Sequence, residues 1–433
     1  MKILIIGQCT LHWGRMEFGN IGNYYIIEPF VRELHKAFPN ASIRTTFQMS
    51  DRFCKEEKVE VLPMELYYGW TGEDLNTAMS ELGSAEIFSK TGFMPRHTPY
   101  IDAVLESDLV VDFSGDIWGD NANFLGEDRF LIGLVKNRVA QLLGKKTVML
   151  AGSPGPFNEQ KTLEFAKEVY RNFDLVTNRE SISIQLLNKA GFDTSKTRSY
   201  ACPAFLFEPL SKEEGKTVGN QIGLLPKQKP VVGFVLCGWN FTTGPFDKWP
   251  RPDTDYEVFA QAVEYITEEL GCKVYLMSHS NGFPIPPAEF ELIHGRDYQV
   301  SKQLEKVLIN RGISKDFQMI ERVNNTWETK AIIGNFDMLV SGRIHGAVAG
   351  LSQLVPTVII DYGHPPKAHK LQGFAIEAGA QEYIADPAIG GDIIEKIKHA
   401  WLNRDSYYEA LNKQIPSAKN KARANFEELT RLF

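Results

Sequence analysis

FDMLVSGRIHG, Phe336 to Gly346, is the stretch from which the rest of the chain can be read. Phe336 to Val340 is a short apolar run that predicts a buried strand, and Ser341-Gly342 breaks it. Gly346, Ala347, Val348, Ala349 and Leu351 then supply the small and apolar positions of a helix. Arg343 and His345 therefore fall on the first turn of a helix that follows a buried strand. The first turn of a helix carries N–H groups with no carbonyl partner and the positive end of the dipole, which together favour an anion. Arginine adds a fixed fork for carboxylate or phosphate, and histidine adds a group that moves a proton near neutral pH. An isolated Arg-x-His is more often a capping or pairing device, and its surroundings decide between the two.

Outward from that stretch, short apolar runs alternate with longer helical patterns. In the first half, Lys2–Ile6, Ser42–Thr46, Leu109–Phe113, Thr147–Ala151 and Leu175–Thr177 predict strands, with helices at Tyr24–Ala37, Arg129–Leu143 and Thr162–Asn172 between them. In the second half, Val231–Leu236, Lys273–Met277, Phe317–Ile320, Met338–Val340 and Thr357–Ile360 predict strands. Their helices are Asp255–Leu270, Ser301–Arg311, Thr329–Gly334 and Gly346–Leu354. Continuous apolar strands with helical crossovers mean parallel sheets covered on both faces. The fold class is therefore α/β, two Rossmann-like doubly wound domains facing a cleft. The expected boundaries are 1–207 for the first domain, on the acceptor side, 208–229 for a linker, and 230–390 for the second domain, on the donor side. Residues 391–433 read as C-terminal helices that pack back on the first domain. Residues 208–229 show little periodicity, hence the linker. Glu56 to Arg96 is also irregular, and its Tyr67, Tyr68, Trp70 and Phe93 suit a lid or a small core cover.

The size, 433 residues, suits two domains, and an apolar fraction of 43% fills two cores. The formal charge of -7 leaves no basic excess to neutralise phosphates, so no nucleic-acid partner is expected. Five scattered cysteines with no Cys-x-x-Cys fit reduced thiols and argue against a zinc or redox pair. The opening run MKILIIGQCT is too short for a signal peptide, and no apolar run spans a bilayer. The expected location is the cytoplasm, with peripheral membrane contact left open.

Several strand ends carry polar loops, where doubly wound sheets bind ligands. Gly19-Asn20-Ile21-Gly22-Asn23 precedes a helix; it is no dinucleotide fingerprint, because the glycine spacing is wrong. Ser114-Gly115-Asp116 follows a buried strand, and Asp116 could serve as a general base or merely cap a helix. Ala151 to Phe157 is a sharp Gly/Pro loop. Arg179 ends another strand and is either a second anion contact or the partner of a neighbouring carboxylate. In the second half His279 ends a strand, a place where a lone histidine is more often a surface residue. Asp361-Tyr362-Gly363-His364, with Lys367, His369 and Lys370 behind it, would flank the Arg343–His345 turn.

These motifs together resemble the polysaccharide pyruvyl transferase family from Met1 to about Ala380. The landmarks are Gly19 to Asn23, Ala151 to Phe157, Asn178-Arg179-Glu180-Ser181, Pro203-Ala204-Phe205-Leu206, and above all Ser341 to Gly346 followed by Pro356 and Asp361 to His364. The resemblance implies two Rossmann-type domains of GT-B type and transfer of a pyruvyl ketal from phosphoenolpyruvate to a glycan. It implies no cofactor beyond that co-substrate, and the cationic side chains make a metal unnecessary. In this reading His345 is the general acid, Asp116 the base, and Ser341, Arg343, His364, Lys367, Lys370 and His279 hold the donor. Asn20, Gly22, Asn23, Ser114 and Arg179 face the acceptor, a carbohydrate that a lipid carrier could bear; homo-oligomerisation is left open. Two positions depart from the family pattern: Asn23 stands where members often carry Asp, and Leu236-Cys237-Gly238-Trp239-Asn240 lacks an arginine often found there. Two other readings compete: a GT-B glycosyltransferase using a nucleotide sugar, and a non-catalytic glycan-binding relative.

Overall fold

The structure, a computed structural model, describes residues 1–246, 248–313 and 315–433. Its main sheets are two, both wholly parallel. The first takes β1 (Lys2–Ile6), β2 (Ser42–Thr45), β3 (Val59–Val61), β4 (Leu109–Asp112), β5 (Lys146–Gly152), β6 (Leu175–Asn178) and β7 (Thr197–Ser199). Their order is β3-β2-β1-β4-β5-β6-β7. The strands of the second half are β8 (Val231–Val235), β9 (Lys273–Met277), β10 (Asn281–Gly282), β11 (Ile293–His294), β12 (Phe317–Met319), β13 (Met338–Ser341), β14 (Thr357–Ile360) and β15 (Ile384–Ala385). The second main sheet has the order β12-β9-β8-β13-β14-β15, and β10 and β11 pair antiparallel as a separate two-stranded sheet. Strands such as Leu109–Asp112 and Met338–Ser341 are buried at every position, as sheets with helices on both faces require. In each sheet the strand order reverses once, between β1 and β4 and between β8 and β13. Those are the switch points where doubly wound sheets take ligands.

Two compact units contain these sheets. The first is Met1–Met16, Glu28–Pro203 and Lys421–Phe433; the second is Glu17–Ile27 and Ala204–Asn420. The Gly19 to Asn23 motif, expected on the acceptor side of the first domain, is thus part of the second unit, where Asn20 bridges Ser280 and Phe18 packs on Phe283 and Phe290. Within the first unit, Phe426 meets Phe30 at 5.2 Å and the Asn425 amide donates to the Ala201 carbonyl at 3.0 Å.

Two segments differ from the sequence expectation, for one physical reason. Residues 208–229 are not a featureless linker: Lys212–Gln221 is a helix whose start Ser211 and Glu214 cap reciprocally. Glu56 to Arg96 is not irregular either, because Asp74–Thr91 is a helix. Neither buries an apolar stripe. The first buries Gly215, Val218 and Gly219; the second buries Ala78, Glu81, Ser84 and Ala85. Glu81 is admitted because Lys136 Nζ sits 2.6 Å from its carboxylate and Thr98 donates to the other oxygen at 2.8 Å.

Candidate active site

In the second unit the loops after β8, β13 and β14 are drawn together by one side chain. Asn240 is fully buried, and its amide donates to the carbonyls of Gly342, Ile360 and Asp361, each at 3.2 Å, while its oxygen accepts from Cys237 N–H. The approach is so close that a Cβ on Gly342 would stand 1.9 Å from Asn240 Oδ1, and one on Gly363 2.4 Å from its carbonyl oxygen. The stretch Leu236 to Asn240, noted for lacking an arginine, thus uses Asn240 to fasten the loops.

Arg343 occupies the cap position, with extended backbone, and the helix proper is Ile344–Leu351. It therefore sits just before the first turn and His345 within it. Ser341, fully buried, accepts from Arg343 N–H at 3.3 Å and donates to its carbonyl at 2.9 Å, which fixes the bend from strand to helix. The guanidinium is held edge-on by Asp297: Nε donates to Oδ2 at 2.9 Å and Nη2 to Oδ1. Asp297 is 1% exposed, so this is a desolvated, two-pronged pair rather than a surface bridge. No sequence pattern marks Asp297. It starts the helix Arg296–Asn310, and Ser280 Oγ accepts from its N–H at 3.1 Å.

His279 is not the surface residue that a lone loop histidine suggests. It is fully buried, its ring stands edge-on to Tyr25 at 5.5 Å, and neither nitrogen has a hydrogen-bond partner among the described residues. Burial pushes its pKa down to about 4, with Arg343 adding to the effect and Asp297 opposing it. A histidine depressed in the folded state stabilises above its unfolded pKa of 6.5 and loses that contribution as pH falls through 4. The loss amounts to about 3 kcal/mol. Asp112, raised by burial to about 6, runs the other way over part of that range. Comparing His279→Gln with the parent by urea unfolding across this range isolates the histidine. The variant is expected to lose less stability on acidification, and parallel curves would exclude the linkage.

His345 is half-buried and packs against Gly22. A Cβ on Gly22 would lie 2.6 Å from both Cβ and Nδ1 of the imidazole, and Phe374 lies on another side, 5.7 Å between centroids. Asn20 Oδ1 accepts from Gly22 N–H at 3.1 Å, and Asn23 N–H donates to Asn20 O, so the glycine turn is held locally. Around β14, His364 stacks on Phe246 at 3.5 Å and Trp239 on Tyr362 at 5.6 Å. Lys367 donates to Tyr362 O at 2.6 Å and pairs with Asp386 at 2.7 Å. Lys370 is half-buried in the helix His369–Ala378.

The remaining candidates lie in the first unit. Ser114 donates to Asp112, which also accepts from Asn137 at 2.6 Å. Asp116 sits in a turn, caps no helix, and pairs with Arg179 at 3.3 Å; Arg179 is buried and donates through Nε to Ser153 Oγ at 3.1 Å. The structure therefore gathers Ser341, Arg343, His345, His279, Asn20 and Gly22 in one unit and Ser114, Asp116 and Arg179 in the other. Among the described residues no cluster of His, Cys, Asp and Glu is placed to hold a metal, and no helix is long and apolar enough to cross a membrane.

The family model for polysaccharide pyruvyl transferases matches residues 20–364. The amylovoran biosynthesis protein AmsJ of Erwinia amylovora is 23% identical over 448 residues, 99% of this chain and 98% of AmsJ. Among solved structures, Anabaena HepE in complex with UDP is similar at a TM-score of 0.60 and 12% identity, covering 100% of this chain and 99% of HepE. A UDP-GlcNAc 2-epimerase of Methanocaldococcus jannaschii is similar at a TM-score of 0.59 and 15% identity, covering 100% of this chain and 99% of the epimerase. At these identities the structural likeness establishes the fold, two-domain α/β of GT-B type.

Proposed function

The chain belongs to the polysaccharide pyruvyl transferase family, and we propose on that footing that it transfers a pyruvyl group from phosphoenolpyruvate to a sugar of a polysaccharide or its precursor. The observation that carries this reading is the strand-to-helix bend at β13. There a guanidinium locked on a buried carboxylate stands beside a partly exposed imidazole at a helix start. An anion-holding group and a proton-moving group share one turn of chain.

His345 gives a proton to the methylene carbon of phosphoenolpyruvate, which becomes the methyl group, and positive charge develops at the neighbouring carbon. A sugar hydroxyl adds there; phosphate departs with its bridging oxygen; a second hydroxyl closes the ketal. Of the two hydroxyl protons released, one balances that given to carbon and the other leaves with phosphate. Arg343 and the N–H groups of the first helical turn stabilise the carboxylate and departing phosphate, a role that grows as charge develops. Asp297 keeps the guanidinium plane fixed, so the site is organised before the donor arrives.

A nucleotide-sugar donor is the second reading, favoured by the aromatic pairs Trp239–Tyr362 and Phe246–His364, which offer flat faces at the ends of β8 and β14. Thermal unfolding with phosphoenolpyruvate or with UDP-sugars separates the two. A ligand at one hundred times its Kd adds about 2.7 kcal/mol. A rise in Tm with phosphoenolpyruvate and none with UDP-sugars is expected; the reverse pattern replaces the first reading by the second.

A further inference from the structure

We propose that the first unit carries its own oxyanion site, built on Arg129 and roofed by Tyr68 and Trp70, which takes a carboxylate or phosphate group. This goes beyond the reading above and does not depend on it. Arg129 begins the helix Arg129–Leu142 and is fully buried at the switch point of the first sheet. Its Nη2 donates to Gln8 O at 2.9 Å and to Thr10 O, in the loop after β1. Those bonds account for one nitrogen. Nε and Nη1 have no acceptor among the described residues, and neither does the buried Tyr67 hydroxyl a partner. The nearby carboxylates are spoken for: Asp112 by Ser114 and Asn137, Asp116 by Arg179, and Asp74, whose charge acts on Arg129, by the N–H groups of Gly69 and Thr71.

A buried guanidinium with no carboxylate hydrogen-bonded to it costs several kcal/mol, and tethering two carbonyls does not require a charge at all. A bound oxyanion would supply the missing partner, accepting from one unpaired edge of the guanidinium and from the Tyr67 hydroxyl. Gly133, one turn on, lets Tyr67 and Gln8 come close to this helix: a Cβ there would stand 2.6 Å from Tyr67 OH and 1.8 Å from Gln8 Nε2. The roof is aromatic: the guanidinium carbon is 4.6 Å from the Tyr68 ring centre and 5.0 Å from that of Trp70. Cation–π contact makes the charge tolerable without neutralising it. Trp70 is 42% exposed on its outer side and holds a left-handed φ of 54°, which a bulky side chain adopts only under strain. Its indole N–H is fastened to Leu125 O and the Tyr68 hydroxyl to Glu127 O, while Asp74 accepts from the N–H groups of Gly69 and Thr71, so the roof is a short strap held by side-chain hydrogen bonds.

The test titrates the full chain with sodium glucuronate, inorganic phosphate and, as a neutral control, glucose, reading Tm and tryptophan fluorescence. Saturable stabilisation by at least one anion and none by glucose is expected, with a fluorescence change that Trp70→Phe removes. Glucuronate alone identifies a carboxylate such as an acidic sugar bears; phosphate alone identifies a phosphate. Arg129→Met is expected to abolish the response. Should that variant not fold, Arg129→Lys, which keeps the charge but not the planar donors, is expected to weaken binding at least about tenfold. An Arg129 variant that folds and answers the anion like the parent overturns the proposal, as does a parent that answers neither anion or answers glucose equally. Phosphoenolpyruvate serves as the internal reference. If its response survives Arg129→Met and is lost with Arg343, both sites stand. If it is lost with Arg129 and survives loss of Arg343, the reading of the Arg343 turn fails while this one holds.

Discussion

An Arg343→Ala chain is expected to lose about 3–5 kcal/mol of stability together with its response to phosphoenolpyruvate, because the substitution strands Asp297 as a buried charge. The size follows from the geometry: Asp297 is 1% exposed and both its oxygens accept from the one guanidinium. Asp297→Asn is the informative companion. It removes the charge that the arginine neutralises, so the double variant should be less destabilised than the sum of the two single ones. Urea unfolding of the four proteins gives that coupling directly. Independent, additive losses, or an Arg343→Ala chain within about 1 kcal/mol of the parent, would mean the pair is not locked.

The second large effect is on rate. His345→Gln is expected to lower kcat about 10²–10⁴-fold, the usual worth of a positioned proton donor, with KM for phosphoenolpyruvate changed little. Gly22→Ala should reproduce much of that loss without touching the imidazole's chemistry, since its new methyl would stand 2.6 Å from the ring and force it aside. If both act through one group, combining them costs no more than His345→Gln alone. Steady-state kinetics on the three variants decides it; a His345→Gln enzyme within tenfold of the parent removes His345 from the proton-transfer role.

The sheets were legible because their strands are buried on both faces and read as unbroken apolar runs. Val231–Val235 and Thr357–Ile360, for example, each begin directly after a proline, Pro230 and Pro356, which marks their start. The turn at Arg343 was legible because Ser341-Gly342 must bend before the small residues of the helix can follow. Asp297 was not, since a single Asp 46 residues upstream carries no periodic or spacing signal. Its importance comes from two chain segments meeting in space. Gly22 was visible as a turn glycine, but not the imidazole that fills the place its side chain would take. The helix Asp74–Thr91 hid because its inner face is made of alanine, serine and a paired glutamate, so burial left no hydrophobic period to read.

The way the two units share the chain has a consequence for synthesis. Residues 17–27 belong to the second unit but are made before almost all of the first, and residues 421–433 belong to the first but are made after the second. A nascent chain therefore cannot complete one unit and then the other, as strings of contiguous domains do. Gly22 must wait, attached to a partly formed neighbour, until His345 has been translated, and the first unit stays unsealed until Asn425 and Phe426 leave the ribosome. Cutting the gene at residue 207 would then yield two fragments that are each incomplete, one lacking its closing helix and the other the glycine turn against its histidine.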